Sequence, residues 1–451
     1  MSAARMKKPI HPAWVMSLFW GLIACVFFLG PVSLTPSLSF AGALFQLTHI
    51  VLFITGTLMA YFLCVQTPCS TYCFGEERGV NPLIGLVLCI GVVGNLLSLY
   101  NNGMAIQGIH LSHAAAYRTM KAQSLLHGGE MNSGCLSIAA FLMYPAGFVG
   151  LVAGLLHYER LPQVARLFMF LFVALMFCAA ILAGGRSPIL LLLLFMAISC
   201  YARTRLGMPW MPQSRALRMG AGLLLVTFAV YSSILWTVRA AESERNTTQS
   251  LQHAANVWGA ANVWGAAPKD YLLATSKWLH KPGFTMSVLG PVFYLTQSLS
   301  VTEKILLAPD KIPVLFGGYH VDLIAAALRH IPDGARMLKE NYDTLLQANI
   351  YGYFTGAWGA LFIDYGYFSL LAALVWGGLA GYSWARFKQH PDLITGIFYV
   401  FWIYSILISF ASPPLGFSNS LMVFAWFVLF YLASQGAPLL LARLKRRSLT
   451  I

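Results

Sequence analysis

Ala13-Trp-Val-Met-Ser-Leu-Phe-Trp-Gly-Leu-Ile-Ala-Cys-Val-Phe-Phe-Leu-Gly30 runs for eighteen residues without a charge, close behind Arg5, Lys7 and Lys8. A basic start followed by an apolar run suggests a secretory leader. Leaders, however, have a shorter apolar core and a small-residue cleavage site behind it. This run is too long, and more apolar sequence follows at 40–65, so it reads as an uncleaved first membrane span. The whole chain agrees. Of its 451 residues, 58% are hydrophobic and only 10% are charged, with a mean hydropathy of +0.68. Soluble globular chains carry about 25% charged residues. So few charges could not cover a water-facing surface, which excludes the cytosolic and disordered classes.

A span needs ~20 apolar residues, and ten windows qualify: 13–30, 40–65, 82–100, 134–156, 164–183, 187–201, 219–238, 366–385, 393–411 and 418–433. Lys and Arg in short loops mark the cytoplasmic side. With the N-terminus inside, that side holds sixteen basic residues, ending in the cluster Arg443, Lys445, Arg446 and Arg447. The opposite short loops hold three, Arg118, Lys121 and Arg186. The expected fold is therefore an all-α polytopic membrane protein of about ten transmembrane helices, with both termini cytoplasmic.

The chain divides into helices one to seven (1–238), a long outward loop (239–350), a re-entrant piece with helices eight to ten (351–433) and a basic cytoplasmic tail (434–451). The long loop carries ten basic and nine acidic residues, so it is nearly neutral. Loops of that length translocate regardless of charge. Two amphipathic pieces, near Phe284–Leu299 and Val321–Leu328, are expected to lie on the membrane surface, with Trp258, Trp264 and Trp278 at interfacial depth. Asn-Val-Trp-Gly-Ala-Ala occurs twice in tandem, at 256–261 and 262–267, and reads as a slippage duplication in a tolerant loop. The net charge of +14 comes from short clusters between spans rather than from one basic face, which argues against nucleic acid. The eight cysteines show neither a disulfide framework nor zinc spacing. His110, His113 and His127 lack a matching second pair, so no metal is expected.

Ionisable residues within apolar stretches are costly and are therefore functional candidates. Arg186, in Ala183-Gly-Gly-Arg-Ser-Pro188, stands at the outer mouth of spans five and six. A guanidinium beside helix-start amides makes an anion site; the competing reading is an Arg reaching for the headgroups. Asp364 lies in an apolar stretch interrupted by Gly352, Gly356, Gly359 and Gly366, the pattern of a short re-entrant helix. Its carboxylate faces a cavity, pairs with a base such as Arg186, or caps a helix. His320 is the only histidine in 281–329 and is either a general base or a packing residue.

Three stretches carry a family resemblance. Ala183-Gly-Gly-Arg-Ser187 resembles the Gly-x-Arg-Ser/Gly turn of the bacterial oligosaccharide repeat-unit polymerases (O-antigen polymerases, Wzy type). Leu315-Phe-Gly-Gly-Tyr-His-Val-Asp-Leu323, with Ile331-Pro332 beyond it, resembles that family's Phe/Tyr-Gly-x-x-aromatic stretch and Ile-Pro. Tyr353-Phe-Thr-Gly-Ala-Trp-Gly-Ala-Leu-Phe-Ile-Asp-Tyr-Gly366 resembles its Thr-x-x-(Phe/Trp)-Gly-x-x-x-x-Asp-Phe-Gly block. Tyr365 replaces the usual Phe, and Ser369 stands near where a further Gly is common. These matches cover about 70 residues, while spacing and topology fit along most of the chain.

The resemblance implies a C-type membrane glycosyltransferase at the periplasmic face of the bacterial inner membrane. It would join oligosaccharide units carried on undecaprenyl diphosphate, without cofactor or metal, with membrane lipid around it and room for a chain-length regulator as a partner. Arg186, with Arg239 or Arg329, would hold the diphosphate, since a guanidinium fork makes charge-assisted bonds to phosphate. Asp364 or His320 would activate the acceptor hydroxyl, and Arg245, Tyr319, Arg336 and Tyr353 would be the substrate contacts. The first outward loop, Pro31–Ser39, has no carboxylate to hold a metal. An O-antigen ligase, which passes finished polymer to lipid A core, is the nearest rival. A lipid or sugar transporter is the next, disfavoured because no repeated halves are visible.

Overall fold

The computed structural model describes residues 8–34, 36–66, 80–105, 135–182, 185–241, 267–278, 282–308, 312–348, 350, 354–417 and 419–448. These are predominantly helical. The helices are α1 (Pro12–Leu29), α2 (Phe40–Gln66), α3 (Val80–Ala105), α4 (Cys135–Met143), α5 (Ala146–Leu156), α6 (Gln163–Leu182), α7 (Ser187–Arg203) and α8 (Arg215–Ala241). They continue with α9 (Asp270–Trp278), α10 (Pro282–Leu306), α11 (Asp322–Arg329), α12 (Pro332–Gln347), α13 (Gly356–Tyr365), α14 (Ser369–Gln389), α15 (Leu393–Leu407) and α16 (Ser420–Ser448). Two short strands, β1 (Val32–Ser33) and β2 (Ala267–Pro268), pair antiparallel.

Among the described residues, six helical segments are long and apolar enough to cross a membrane: Pro12–Leu29, Phe40–Cys64, Val80–Asn101, Cys135–Leu156, Gln163–Leu182 and Gly356–Gln389. Shorter apolar helices occupy Ser187–Arg203, Leu217–Ser232, Leu393–Leu407 and Ser420–Gln435. The Cys135–Leu156 segment is broken between α4 and α5 at Pro145, whose ring cannot continue the hydrogen-bond ladder. Gly366, at φ 54 and ψ −135, likewise separates α13 from α14. Helix α5 is buried along its whole length, as expected for a helix that is apolar all round. It is surrounded by α3, α6, α7, α15 and α16.

Close approach by glycine builds the tightest crossing, α2 against α14. A Cβ on Gly377 would lie 1.9 Å from the Phe53 carbonyl oxygen, and one on Gly381 2.4 Å from that of Thr57. Without a strong hydrophobic drive between helices in lipid, such small-residue contacts carry association. Gly377→Leu should therefore prevent assembly, leaving little monodisperse protein after extraction. Gly220→Ala, whose Cβ meets nothing within 4 Å, should leave the unfolding temperature unchanged or raised. A wild-type unfolding temperature for Gly377→Leu would refute this packing.

The two ends of the bundle gather different segments. At one, the Trp384 indole donates to the Pro9 carbonyl (3.0 Å), and the hydroxyls of Tyr399 and Tyr201 donate to those of Ile10 (3.1 Å) and Lys8 (3.2 Å). Fully buried Arg203 is held there by Glu159 and the carbonyls of Leu155 and Pro209. At the other, β1 pairs with β2, Lys269 donates to the Phe28 carbonyl, and Ser300 donates to that of Pro36 (2.8 Å).

The described part of residues 239–350 is largely helical. Helix α8 runs on to Ala241, and α10 extends over 25 residues. Residues 296–303 of α10 are buried, so its C-terminal part is core, beyond most of the Phe284–Leu299 piece. The reason lies in its side chains: Ser298, Ser300 and Thr302 are small enough to pack against α13 and the 36–39 segment. Helices α11 and α12 pack on each other over Leu315, Ala325 and Leu338. Trp258, Trp264 and most of the tandem repeat lie outside the described residues, as does 106–134; Trp278 ends α9, exposed.

Candidate functional site

The site forms where the 312–321 segment crosses the end of α13. Asn341 of α12 donates to the Pro313 carbonyl (2.6 Å), and buried Leu315 anchors the segment on α11 and α12. Phe316 then turns left-handed (φ 49), followed by Gly317 (φ 98). Glycine adopts that region freely; a phenylalanine there costs about 1–3 kcal/mol. This turn brings the amides of Gly317, Tyr319 and His320 toward one point, a cradle for an anion.

The anion is the carboxylate of Asp364, from the last turn of α13 and fully buried. Its Oδ1 accepts the amides of Gly317 and Tyr319, both at 2.9 Å. Its Oδ2 accepts the His320 amide at 3.1 Å and the His320 ring through Nδ1. The Asp364 carbonyl takes the Phe316 amide at 2.9 Å. A carboxylate can only accept, so Nδ1 donates to it, and in the neutral imidazole Nε2 holds the lone pair. Among the described residues Nε2 has no hydrogen-bond partner, and the His320 side chain keeps 6% exposure. The ring is braced by Tyr365, edge-on at 6.1 Å between centroids. Gly416 presses on its backbone: a Cβ there would stand 2.7 Å from the His320 oxygen. Four donors saturate Asp364, so its chemistry here is to fix the imidazole's tautomer and direction.

Arg186 takes no part in that pair. It precedes α7, half-buried, with its guanidinium 5.1 Å above the Tyr294 ring of α10, a cation–π distance. Rings lead from there toward the histidine: Tyr294 to Phe354 at 5.5 Å, Phe354 to Phe417 at 6.3 Å, and Phe417 follows Gly416. Where the sequence offers Arg186 as a partner for Asp364, the structure pairs Asp364 with His320, because Arg186 is drawn onto Tyr294.

The remaining sequence candidates scatter. Arg329 is exposed at the end of α11. Arg336 is exposed on α12, bridged to Asp333 (3.1 Å) and Glu340 (3.9 Å), the arrangement of a solvated helix face. Tyr319 is half-buried and contributes its amide to Asp364. Arg239 falls in the last turn of α8, its side chain outside the described set, and Arg245 and Tyr353 lie outside the described residues.

Two buried groups were not legible as candidates. His49 of α2 is held between the Phe45 carbonyl (2.9 Å) and Ser369 Oγ (3.0 Å). Glu303 of α10 is buried and accepts the Ser39 amide at 3.1 Å. Its signal was the lone carboxylate ending the small-residue run Ser298-Leu-Ser-Val-Thr-Glu303. An apolar cavity of about 300 Å³, lined by Leu151, Met169, Phe170, Gly220 and Leu224, lies between α5, α6 and α8, apart from all these groups. It has no charged lining and suits hydrocarbon. No protein family, curated protein or solved structure matches the chain.

Proposed function

We propose that this protein is a membrane glycosyltransferase that joins oligosaccharide repeat units carried on undecaprenyl diphosphate. In this reading the six long apolar segments and the four shorter apolar helices make ten crossings, with both termini in the cytoplasm. The His320 end then faces the periplasm of a bacterial inner membrane. Lys8 stands at the opposite end of α1 from β1, which supports that sidedness.

The observation that carries the reading is the His320–Asp364 pair. An imidazole held by a buried carboxylate, with its second nitrogen unoccupied, is built to take a proton from a hydroxyl. The acceptor sugar hydroxyl gives its proton to His320 Nε2 as its oxygen bonds to the anomeric carbon of the donor. The bond from that carbon to the diphosphate breaks, and its electron pair leaves on the phosphate oxygen. Arg186 meets the charge that grows there, and the imidazolium later returns its proton to solvent.

The test is purified protein in nanodiscs with lipid-linked repeat units. A ladder of polymer is the expected product; transfer only to lipid A core would mark a ligase, and no transfer would sink the reading. Arg186→Ala should cut the ladder at least about a hundredfold, the scale of losing one transition-state charge contact, while the amount of protein in the membrane stays normal. Wild-type polymer from that variant would remove Arg186 from the diphosphate.

A further inference from the structure

The backbone around Asp364 leaves one feature that neither packing nor the proton transfer uses. Phe316 is 70% exposed, so its ring contributes little to the core. It nonetheless occupies the left-handed region, φ 49, beside a glycine that adopts it without strain. Its amide is fixed to the Asp364 carbonyl at 2.9 Å, and the next residue's amide to the Asp364 carboxylate. The ring is therefore carried on backbone that the same aspartate clamps as it orients His320. The segment packs on α11 and α12, and the exposed face of α12 displays Asp333, Arg336 and Glu340. A glycine at 316 would satisfy the same amide bond at lower conformational cost. A ring that the core does not use, kept on a backbone position where glycine would sit without strain, points to a ligand.

We propose that Phe316 is a substrate-positioning residue, its exposed ring forming the platform on which a pyranose of the acceptor glycan stacks next to His320. This rests on the glycosyltransferase reading for its ligand class. Aromatic faces suit the axial C–H bonds of a sugar and need no charge on either partner.

The experiment compares wild type, Phe316→Gly and Phe316→Tyr in nanodiscs. Three quantities are read: unfolding temperature, steady-state rates with lipid-linked repeat unit, and binding of the free repeat-unit oligosaccharide by saturation-transfer NMR. Phe316→Gly should unfold at the wild-type temperature or higher, because strain is relieved. It should bind the oligosaccharide about tenfold more weakly and raise KM by a similar factor, with kcat within about twofold. Phe316→Tyr, which keeps a ring, should match wild type in binding and KM. Unchanged binding in Phe316→Gly overturns the proposal, and so does a lowered unfolding temperature, which would make the ring structural. Wild type that binds the oligosaccharide through Phe316 but makes no polymer would defeat the polymerase reading alone; wild type that binds none defeats the platform.

Discussion

His320→Ala is expected to lower polymer formation by about 10²–10⁴-fold, the usual contribution of a positioned general base. Folding should be little affected, because the segment around it stays tied by the amides of Phe316, Gly317 and Tyr319 and by the Asn341 bond to Pro313. The measurement is initial rate per mole of folded protein, with KM for the lipid-linked unit recorded alongside. A loss confined to kcat fits a proton acceptor. A variant with wild-type kcat would leave His320 a packing residue.

Asp364 should respond in two distinct ways. Asp364→Ala strands three backbone amides and the imidazole N–H in a buried place. Each orphaned donor costs about 1–3 kcal/mol, so a total on the order of 4 kcal/mol or more is expected, enough to remove most folded protein from the membrane. Asp364→Asn is the sharper variant. Its Oδ1 can still accept Gly317 and Tyr319, while its NH₂, in place of Oδ2, leaves the His320 amide without its acceptor and must donate to Nδ1. The imidazole then carries its proton on Nε2 and cannot accept another there. The comparable change in a Ser–His–Asp triad costs about 10⁴-fold. A thermal unfolding scan and a rate assay separate the two effects: a modest drop in unfolding temperature with at least a thousandfold drop in rate is the expected pair. An Asn variant with wild-type rate would make Asp364 purely a fold residue.

Much of the architecture was readable because apolar content is local. The uncharged run at 13–30 becomes α1, and the window at 187–201 becomes α7 starting behind Arg186. What the sequence could not show is what depends on chain segments far apart. Asp364 and His320 are separate candidates in the sequence; nothing in a separation of 44 residues says that one orients the other. Their contact arises because Phe316 and Gly317 turn left-handed and the ladder of α13 ends at Gly366. Helix α10 was obscured for a related reason. Its serines and threonines lower its hydropathy, and only their close packing against Gly356 and Gly359 reveals it as core. Arg186 was legible as a cation at a helix start, whereas its neighbour Tyr294, 108 positions further along, was not.

The central claim is that the Nε2 nitrogen of His320 receives a proton during transfer. Chemical rescue of His320→Gly in nanodiscs tests it most directly, with polymer initiation measured as imidazole and its methylated analogues are added. The account predicts saturable recovery of rate, rising with the basicity of the added amine and absent in the Asp364→Asn background carrying native His320. Recovery that ignores the basicity of the amine, or a His320→Gly variant that needs no rescue, would contradict it.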